Sequence, residues 1–270
     1  MLKKKRILQS WADNVWDTGI AFGTVAGKRG DTTVEVTTYR TENYDPDSRK
    51  PEVEYGDSIH GDLSRRDFTV NSMALELTGE KPEFIDPFNG LQDLAAKVLR
   101  TPVRPGDSFN DDPLRMMRAA RFASQLNFEI APEVLSSMKD LAHRISIISA
   151  ERVRDEFTKI MMSANPRIGI TLLVDSGLAD IVLPEIPKLR LEVDEHHHHK
   201  DVYEHSITVL EQAIEHEDRL GGPNLVIRLA ALLHDIGKPK TRAFIEGGGV
   251  SFHHHEVVGA RLAKKRLQAL

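Results

Sequence analysis

The sequence contains no cysteine, which removes disulfide frameworks, thiolate zinc sites and cysteine nucleophiles together. Any metal must therefore sit on histidine, aspartate or glutamate. Positive charge is not in excess: 36 Lys and Arg stand against 41 Asp and Glu, a formal charge of -5. A globally basic nucleic-acid coat protein is excluded, while local basic patches stay open. Long apolar runs are also missing. The start, MLKKKRILQSWADNVW, is basic but has no apolar stretch of signal-peptide length behind it, and nothing approaches the ~18 consecutive apolar residues of a membrane span. The expected location is the cytoplasm. There is no internal repeat, and the one low-complexity tract is HHHH at 196–199, read as a solvated or weakly metal-binding loop. What remains is 270 residues, 40% hydrophobic and 29% charged, enough for one large or two to three small globular domains.

Residues 20–26 (IAFGTVA) and 32–39 (TTVEVTTY) are β-branched runs around GKRGD, which predicts a hairpin. Period-2 alternation puts Val34 and Val36 on one face and Thr33, Glu35 and Thr37 on the other, so Glu35 projects from a sheet surface. Residues 41–66 are polar, proline-bearing and aperiodic, which predicts a long loop. IDPFNGLQDLAAKVL, from 85, reads as a turn and a short helix. From 112 to about 182 the pattern is helical, with segments 113–126, 132–143, 149–162 and 166–177 between Gly, Pro and Ser/Asn punctuation, and this middle is expected to be all-α. Residues 200–270 are again helical in pattern and rich in histidine.

Three clusters carry chemistry. GDLSRRDFTVNSMAL (61–75) gathers Arg65, Arg66, Asp67, Thr69 and Asn71. Such a cluster can simply cap a helix, but its guanidiniums, carboxylate and amide are also the groups that grip a triphosphate and a ribose hydroxyl. In NDDPLRMMRAARFASQL (110–126), Asp112 before Pro113 signals a helix start. Arg115, Arg118 and Arg121 then recur every third residue as a cationic stripe on one broad face. A solvated, acid-paired face is the ordinary fate of such a stripe. Here the intervening residues are apolar, which predicts that the arginines line a cleft or a phosphate path. Asp112 and Arg115 could also present an acceptor and a donor to a nucleobase edge. The third cluster is His205, the pair His234–Asp235 in HDIGK, and His254 and His255. A lone helical histidine is more often packed or exposed than a ligand, but together these supply the nitrogen and oxygen donors that divalent metals accept.

These motifs, in this order, resemble the class II tRNA nucleotidyltransferases, the CCA-adding enzyme and bacterial poly(A) polymerase family, with an appended HD domain as in actinobacterial members. RRDFTVNSMA is similar to the family's ribose-recognition motif, IDPFNGLQDL to its segment between head and neck, and DDPLRMMRAARFA to its amino-acid template for the nucleobase. The resemblance implies an α+β fold: a partial β-polymerase-like nucleotidyltransferase head (1–100), an all-α neck that recognises nucleobase and tRNA (101–190), and a partial α-helical HD domain (191–270). It implies that Asp112 and Arg115 pair with incoming CTP or ATP. Arg65, Arg66, Asp67 and Asn71 would hold ribose and triphosphate, and Arg118 and Arg121 would steady phosphates. It places Glu35 on a strand beside a two-Mg2+ site and makes the tRNA 3' end the acceptor of CMP and AMP. His205, His234, Asp235 and His255 would form the HD site, with a divalent metal of open identity. The family's GG-x-x-RD turn and Asp-x-Asp pair do not occur before Trp11. The expectation is therefore a fragment, entered after its first strand and helix and ending inside the HD region, with both metal sites incomplete and an exposed sheet edge that lowers stability or solubility.

Two rival readings stay beside it: a metal-dependent HD phosphohydrolase acting on nucleotides or 2',3'-cyclic phosphates, and a catalytically dead nucleotide- or RNA-binding remnant. Shared motifs leave CCA, CC, A and poly(A) addition equally open. A net charge of -5 is compatible with tRNA binding through local stripes such as Arg115, Arg118 and Arg121 or the basic RLAKKR near the end, and predicts modest nonspecific affinity.

Overall fold

The computed structural model describes residues 2–16, 23–43, 52–55, 58–190, 201–246 and 249–270. The HHHH tract and residues 20–22 lie outside this set. Helix α1 (Leu2–Gln9) precedes an antiparallel sheet ordered β1 (Asn14–Trp16), β2 (Thr24–Arg29), β3 (Thr32–Thr37). Leu8 and Val25 are buried where α1 meets β2, and a Cβ at Gly27 would stand 2.9 Å from the Ala12 Cβ. The predicted hairpin is therefore present but displaced. Its turn is Gly30–Asp31, with Gly30 at φ 55, as a two-residue hairpin turn requires, while Gly27 to Arg29 continue the strand. Thr24 opposes Thr37 and Ala26 opposes Glu35.

The expected loop at 41–66 is corrected where it is described, residues 44–51 and 56–57 of it lying outside the described set. β4 (Arg40–Asn43) pairs antiparallel with β5 (Glu52–Tyr55), and α2 (Ile59–Ser64) follows with the Ser58 hydroxyl accepting from the Gly61 N–H. Main-chain hydrogen bonds stabilise these short polar strands, so side-chain periodicity does not reveal them. A second hairpin, β6 (Ala74–Glu76) with β7 (Glu83–Ile85), leads to α3 (Gly90–Ala96), where the Asp86 carboxylate accepts from the N–H groups of Gly90 and Leu91.

The helical middle contains α4 (Pro105–Asp111), α5 (Leu114–Leu126), α6 (Pro132–Leu141), α7 (Ala150–Met161), α8 (Pro166–Asp175) and α9 (Leu178–Val182). It is not purely α: β8 (Val98–Leu99) and β9 (Glu129–Ile130) form a two-residue parallel pair that straps the chain ahead of α4 to the chain that follows α5. Asp112 caps α5 by accepting from the Leu114 N–H at 3.1 Å, and Asn127 ends it at φ 55. Met116, Met117, Ala119, Ala120 and Ala123 are fully buried, with α7 and α8 packed on α5. α5 is thus a central helix rather than a surface one.

The last region holds α10 (Val202–Glu215), α11 (Leu225–Leu233), α12 (Lys238–Thr241) and α13 (His255–Ala269). A small hairpin of β10 (Ala243–Phe244) and β11 (Val250–Ser251) interrupts the expected run of helices. One continuous apolar core runs from Phe68 to Ile236. No helix among the described residues is long and apolar enough to cross a membrane.

Candidate functional site

A cavity of about 540 Å³ opens between the β2–β3 hairpin, the segment after α2, and the first turns of α5 and α7. Its wall on the sheet side is Thr24, Glu35 and Thr37, and on the opposite side Arg65, Arg66, Asp67 and Asn71 face the residues of α5. The segment after α2 is pinned from within. Phe68 is fully buried edge-on to Phe122, and the Thr69 hydroxyl donates to the buried Asp93 at 2.7 Å. Arg65 and Arg66 both pair with the buried Asp62, at 2.7 and 3.1 Å. Burial alone would raise the Asp62 carboxyl, but the two guanidiniums outweigh it and hold it below its ordinary value.

Asp67 is the hub. Its Oδ1 accepts from the Phe68 N–H and the Asn71 amide, both at 3.0 Å, and its Oδ2 accepts from Arg118 Nε at 2.8 Å and from Arg118 Nη2. Burial pushes this carboxyl up, yet Arg118, Asn71 and the Phe68 N–H together hold it low. Arg115, 6% exposed, donates to the Ser108 hydroxyl at 2.8 Å and to the Arg65 carbonyl at 2.5 Å. It thereby ties the start of α5 to the arginine pair. Asp112 Oδ2 is 3.2 Å from Arg152 on α7. Sequence reasoning missed Arg152: it lies 40 residues from Asp112, and a charged residue in the first turn of an amphipathic helix carries no local mark of such a contact.

Arg121 is not brought to the cavity. Each step of three residues turns a helix by about 300°, so Arg121 lies about 120° around the axis from Arg115. There it pairs with the buried Glu156 of α7 at 3.2 Å and stacks on Phe122 at 4.2 Å from the ring centre. The stripe expected on one face winds from a cavity wall into the core, where Arg121 acts as a strut between α5 and α7.

Separate from this cavity, His205 of α10, His234 and Asp235 at the end of α11, and His255 at the start of α13 converge. Donor atoms of His205, His234 and Asp235 all lie within 4.8 Å of one another, and His255 Nε2 is 3.5 Å from Asp235 Oδ1. His254 stays exposed at φ 62. The ring orientations are informative. His234 Nδ1 is 2.8 Å from the Ala231 carbonyl and His255 Nδ1 is 2.8 Å from the Phe252 carbonyl. A carbonyl only accepts, so in the neutral rings the proton sits on Nδ1 and the Nε2 lone pairs point at the Asp235 carboxylate. An Nε2 lone pair facing a carboxylate calls for a proton or a metal ion between them, and three imidazoles with one carboxylate are a donor set that fits a divalent metal. The cavity does not offer an equivalent. Of its acids, Asp67 and Asp112 are committed to guanidiniums and Glu35 stands by itself, so these residues do not fit a two-Mg2+ centre.

Residues 2–100 match the poly A polymerase head domain family, 127–189 the probable RNA and SrmB-binding site of polymerase A, and 202–270 the HD domain family. The head and HD families are generally dependent on divalent metals. The A-adding tRNA nucleotidyltransferase of Deinococcus radiodurans is 38% identical over 219 residues, 79% of this chain and 49% of the relative. The CCA-adding enzyme of Streptococcus gordonii is 39% identical over 184 residues, 68% of this chain and 45% of the relative. The chain spans about half the length of the curated relatives it matches. Among solved structures, a CCA-adding enzyme in an apo form aligns with a TM-score of 0.65 at 26% identity, covering 86% of this chain and 51% of the other. The Bacillus stearothermophilus CCA-adding enzyme in complex with CTP shares the fold, with a TM-score of 0.59 at 24% identity over 96% of this chain and 56% of the other. The motifs around Asp67 and Asp112, the α+β architecture and these matches agree, and the chain belongs to the poly(A) polymerase and CCA-adding enzyme family of nucleotidyltransferases.

Proposed function

We propose that this chain carries the nucleotide-selecting half of a cytoplasmic tRNA nucleotidyltransferase that transfers CMP and AMP from CTP and ATP to a tRNA 3' end. Residues 1–100 serve as head, 101–190 as neck and 191–270 as HD domain. The observation that carries the reading is that Asp112 and Arg115 line one cavity together with Arg65, Arg66, Asp67, Asn71 and Arg118. An acceptor beside a donor suits the pairing edges of cytosine and adenine, each an exocyclic amine next to a ring-nitrogen acceptor. Uracil and guanine present the reverse order. Asp112 accepts from the amine, Arg115 donates to the ring nitrogen, and Arg152 holds the Asp112 carboxylate in place. Asp67 and Asn71 hold the ribose while Arg65, Arg66 and Arg118 take the phosphates. Glu35, across the cavity, accepts from a hydroxyl of the incoming RNA end. The divalent ions on which such phosphoryl transfer depends would need further ligands, so the steps assigned here are those of binding and orientation.

The test is equilibrium binding of the four ribonucleoside triphosphates with and without tRNA. CTP and ATP should bind at least about tenfold tighter than UTP and GTP, a single well-placed bidentate contact's worth. Arg115→Ala should abolish the preference, and equal affinity for all four in the unmodified chain would sink the reading.

A second reading rests on the His/Asp cluster: a metal-dependent phosphohydrolase. A metal bound there would supply a Lewis acid for a phosphoryl oxygen. Hydrolysis of a 2',3'-cyclic nucleotide that vanishes in His234→Ala, while CTP binding persists, would support it. Absence of any metal-dependent hydrolysis would remove it.

A further inference from the structure

Within the His/Asp cluster one group is not a metal ligand. Lys238, one helical turn beyond Asp235, places its ammonium 2.6 Å from Asp235 Oδ2. The same oxygen faces His234 Nε2 at 3.1 Å and His205 Nε2 at 3.7 Å. Asp235 is 2% exposed, and Lys238 reaches it from the rim, with its side chain 22% exposed and its ammonium 5.7 Å from the centre of the Phe252 ring. A protonated amine has no lone pair to give a metal. It therefore takes up the oxygen lone pair toward which the imidazole nitrogens converge.

We propose that Lys238 is the resident cation of this site, holding the position that a divalent metal takes, and that occupancy is an exchange between the two. The inference rests on the metal-centre reading of the cluster. Its physical basis is the cost of a buried carboxylate without a counter-charge. With Lys238 in place, Asp235 is never left unpaired, so the fold holds without metal. For metal to enter, the Lys238 stem swings toward solvent, and the broken ion pair subtracts from the affinity that three imidazoles and a carboxylate would otherwise give. Two effects of opposite sign follow from one substitution. Removing the ammonium should weaken the metal-free protein and tighten metal binding, whereas a lysine that merely braces the site should shift both in the same direction.

The experiment titrates the 270-residue chain with Mn2+, reading free ion by electron paramagnetic resonance, in the unmodified protein and in Lys238→Met. The expected result is about tenfold tighter Mn2+ binding in the variant, the order of one ion pair that no longer has to be broken. Its metal-free melting temperature should be about 2–4 °C lower. His234→Ala should abolish binding in both backgrounds. Acylation of Lys238 in the unmodified chain, followed by peptide mass spectrometry, gives a readout that does not depend on the variant's folding. Mn2+ should increase labelling of Lys238 relative to the other lysines. Labelling that Mn2+ leaves unchanged would overturn the exchange even if the variant binds more tightly, because removal of a nearby charge would then account for the affinity. Equal or weaker binding by the variant would also overturn it while leaving the metal centre intact. Failure of both proteins to bind Mn2+ would remove the metal centre itself and the exchange with it.

Discussion

Asp67 and Glu156 show how the same residue pairing serves two ends. Both are buried carboxylates facing arginines of α5, but Asp67 opens onto the cavity and Glu156 is sealed in the core. Asp67 and Asp62 are held below their ordinary values, so their contribution is fully present above an unfolded carboxylate value of about 3.9 and is lost as pH falls below it. An acid titration of stability should therefore steepen below about pH 4, and Asp67→Asn should flatten that limb while costing about 1–3 kcal/mol at neutral pH. An unchanged acid limb in the variant would contradict the assignment. Glu156→Gln leaves the Arg121 guanidinium buried against a neutral partner and should cost about 3–5 kcal/mol in denaturant unfolding, with CTP affinity little changed. The residue types of both pairs are plain in the sequence. Their partners are not: reading Arg115, Arg118 and Arg121 as one face passed over the turn of about 120° between the first and the last, and only the crossing of α7 decides that Asp112 meets Arg152 and Arg121 meets Glu156.

At the scale of elements, the helices between 113 and 177 were legible because each carries its own punctuation, whereas α2 lay inside the segment read as a loop. Asp112–Pro113 starts α5, Asn127 ends it, and Pro132 and Pro166 open α6 and α8. The β4–β5 pair and the β8–β9 strap were not, since two to four residues held by main-chain hydrogen bonds leave no periodicity to read. Close packing between elements is equally silent, and Gly90 is the telling instance. A Cβ there would stand 2.2 Å from the Thr69 carbonyl oxygen and 2.9 Å from Met73 Cγ, so α3 lies directly against the turn that carries Asn71. Gly90→Ala must push that turn away. It should cost about 1–3 kcal/mol as an overpacking change and weaken CTP binding by about tenfold or more, although Gly90 contacts no proposed nucleotide-binding group. Stability lost with CTP affinity intact would show that the turn does not position the site.

For the molecule as a whole, the two sites stand on one apolar core, and a polar rivet joins their supports. Arg228 of α11 is 3% exposed. Its Nη1 donates to the carbonyls of Met161 and Ser163 at 2.6 and 2.8 Å, just where α7 ends, while Nε and Nη2 donate to Glu217 at 2.7 and 2.6 Å. The Arg228 contact, chiefly its hydrogen bond, holds the Glu217 carboxyl low against the opposing effect of desolvation. α7 carries Arg152 at its other end, and α11 ends at His234 and Asp235, so this one guanidinium ties the helix that orients Asp112 to the helix that presents the metal ligands. Arg228→Met preserves most of the volume but strands a buried carboxylate and two carbonyls, a loss of about 3–5 kcal/mol. The cost falls on the seam rather than on either site. The variant should therefore unfold in two steps where the unmodified chain unfolds in one. Mn2+ binding should disappear at the first step, and CTP binding should survive to the second. Calorimetry with each ligand present distinguishes the outcomes, because each ligand should raise only the transition of its own half. A single transition raised by both ligands would mean that the apolar contacts of α11 with α7 and α10 hold the halves together without the rivet.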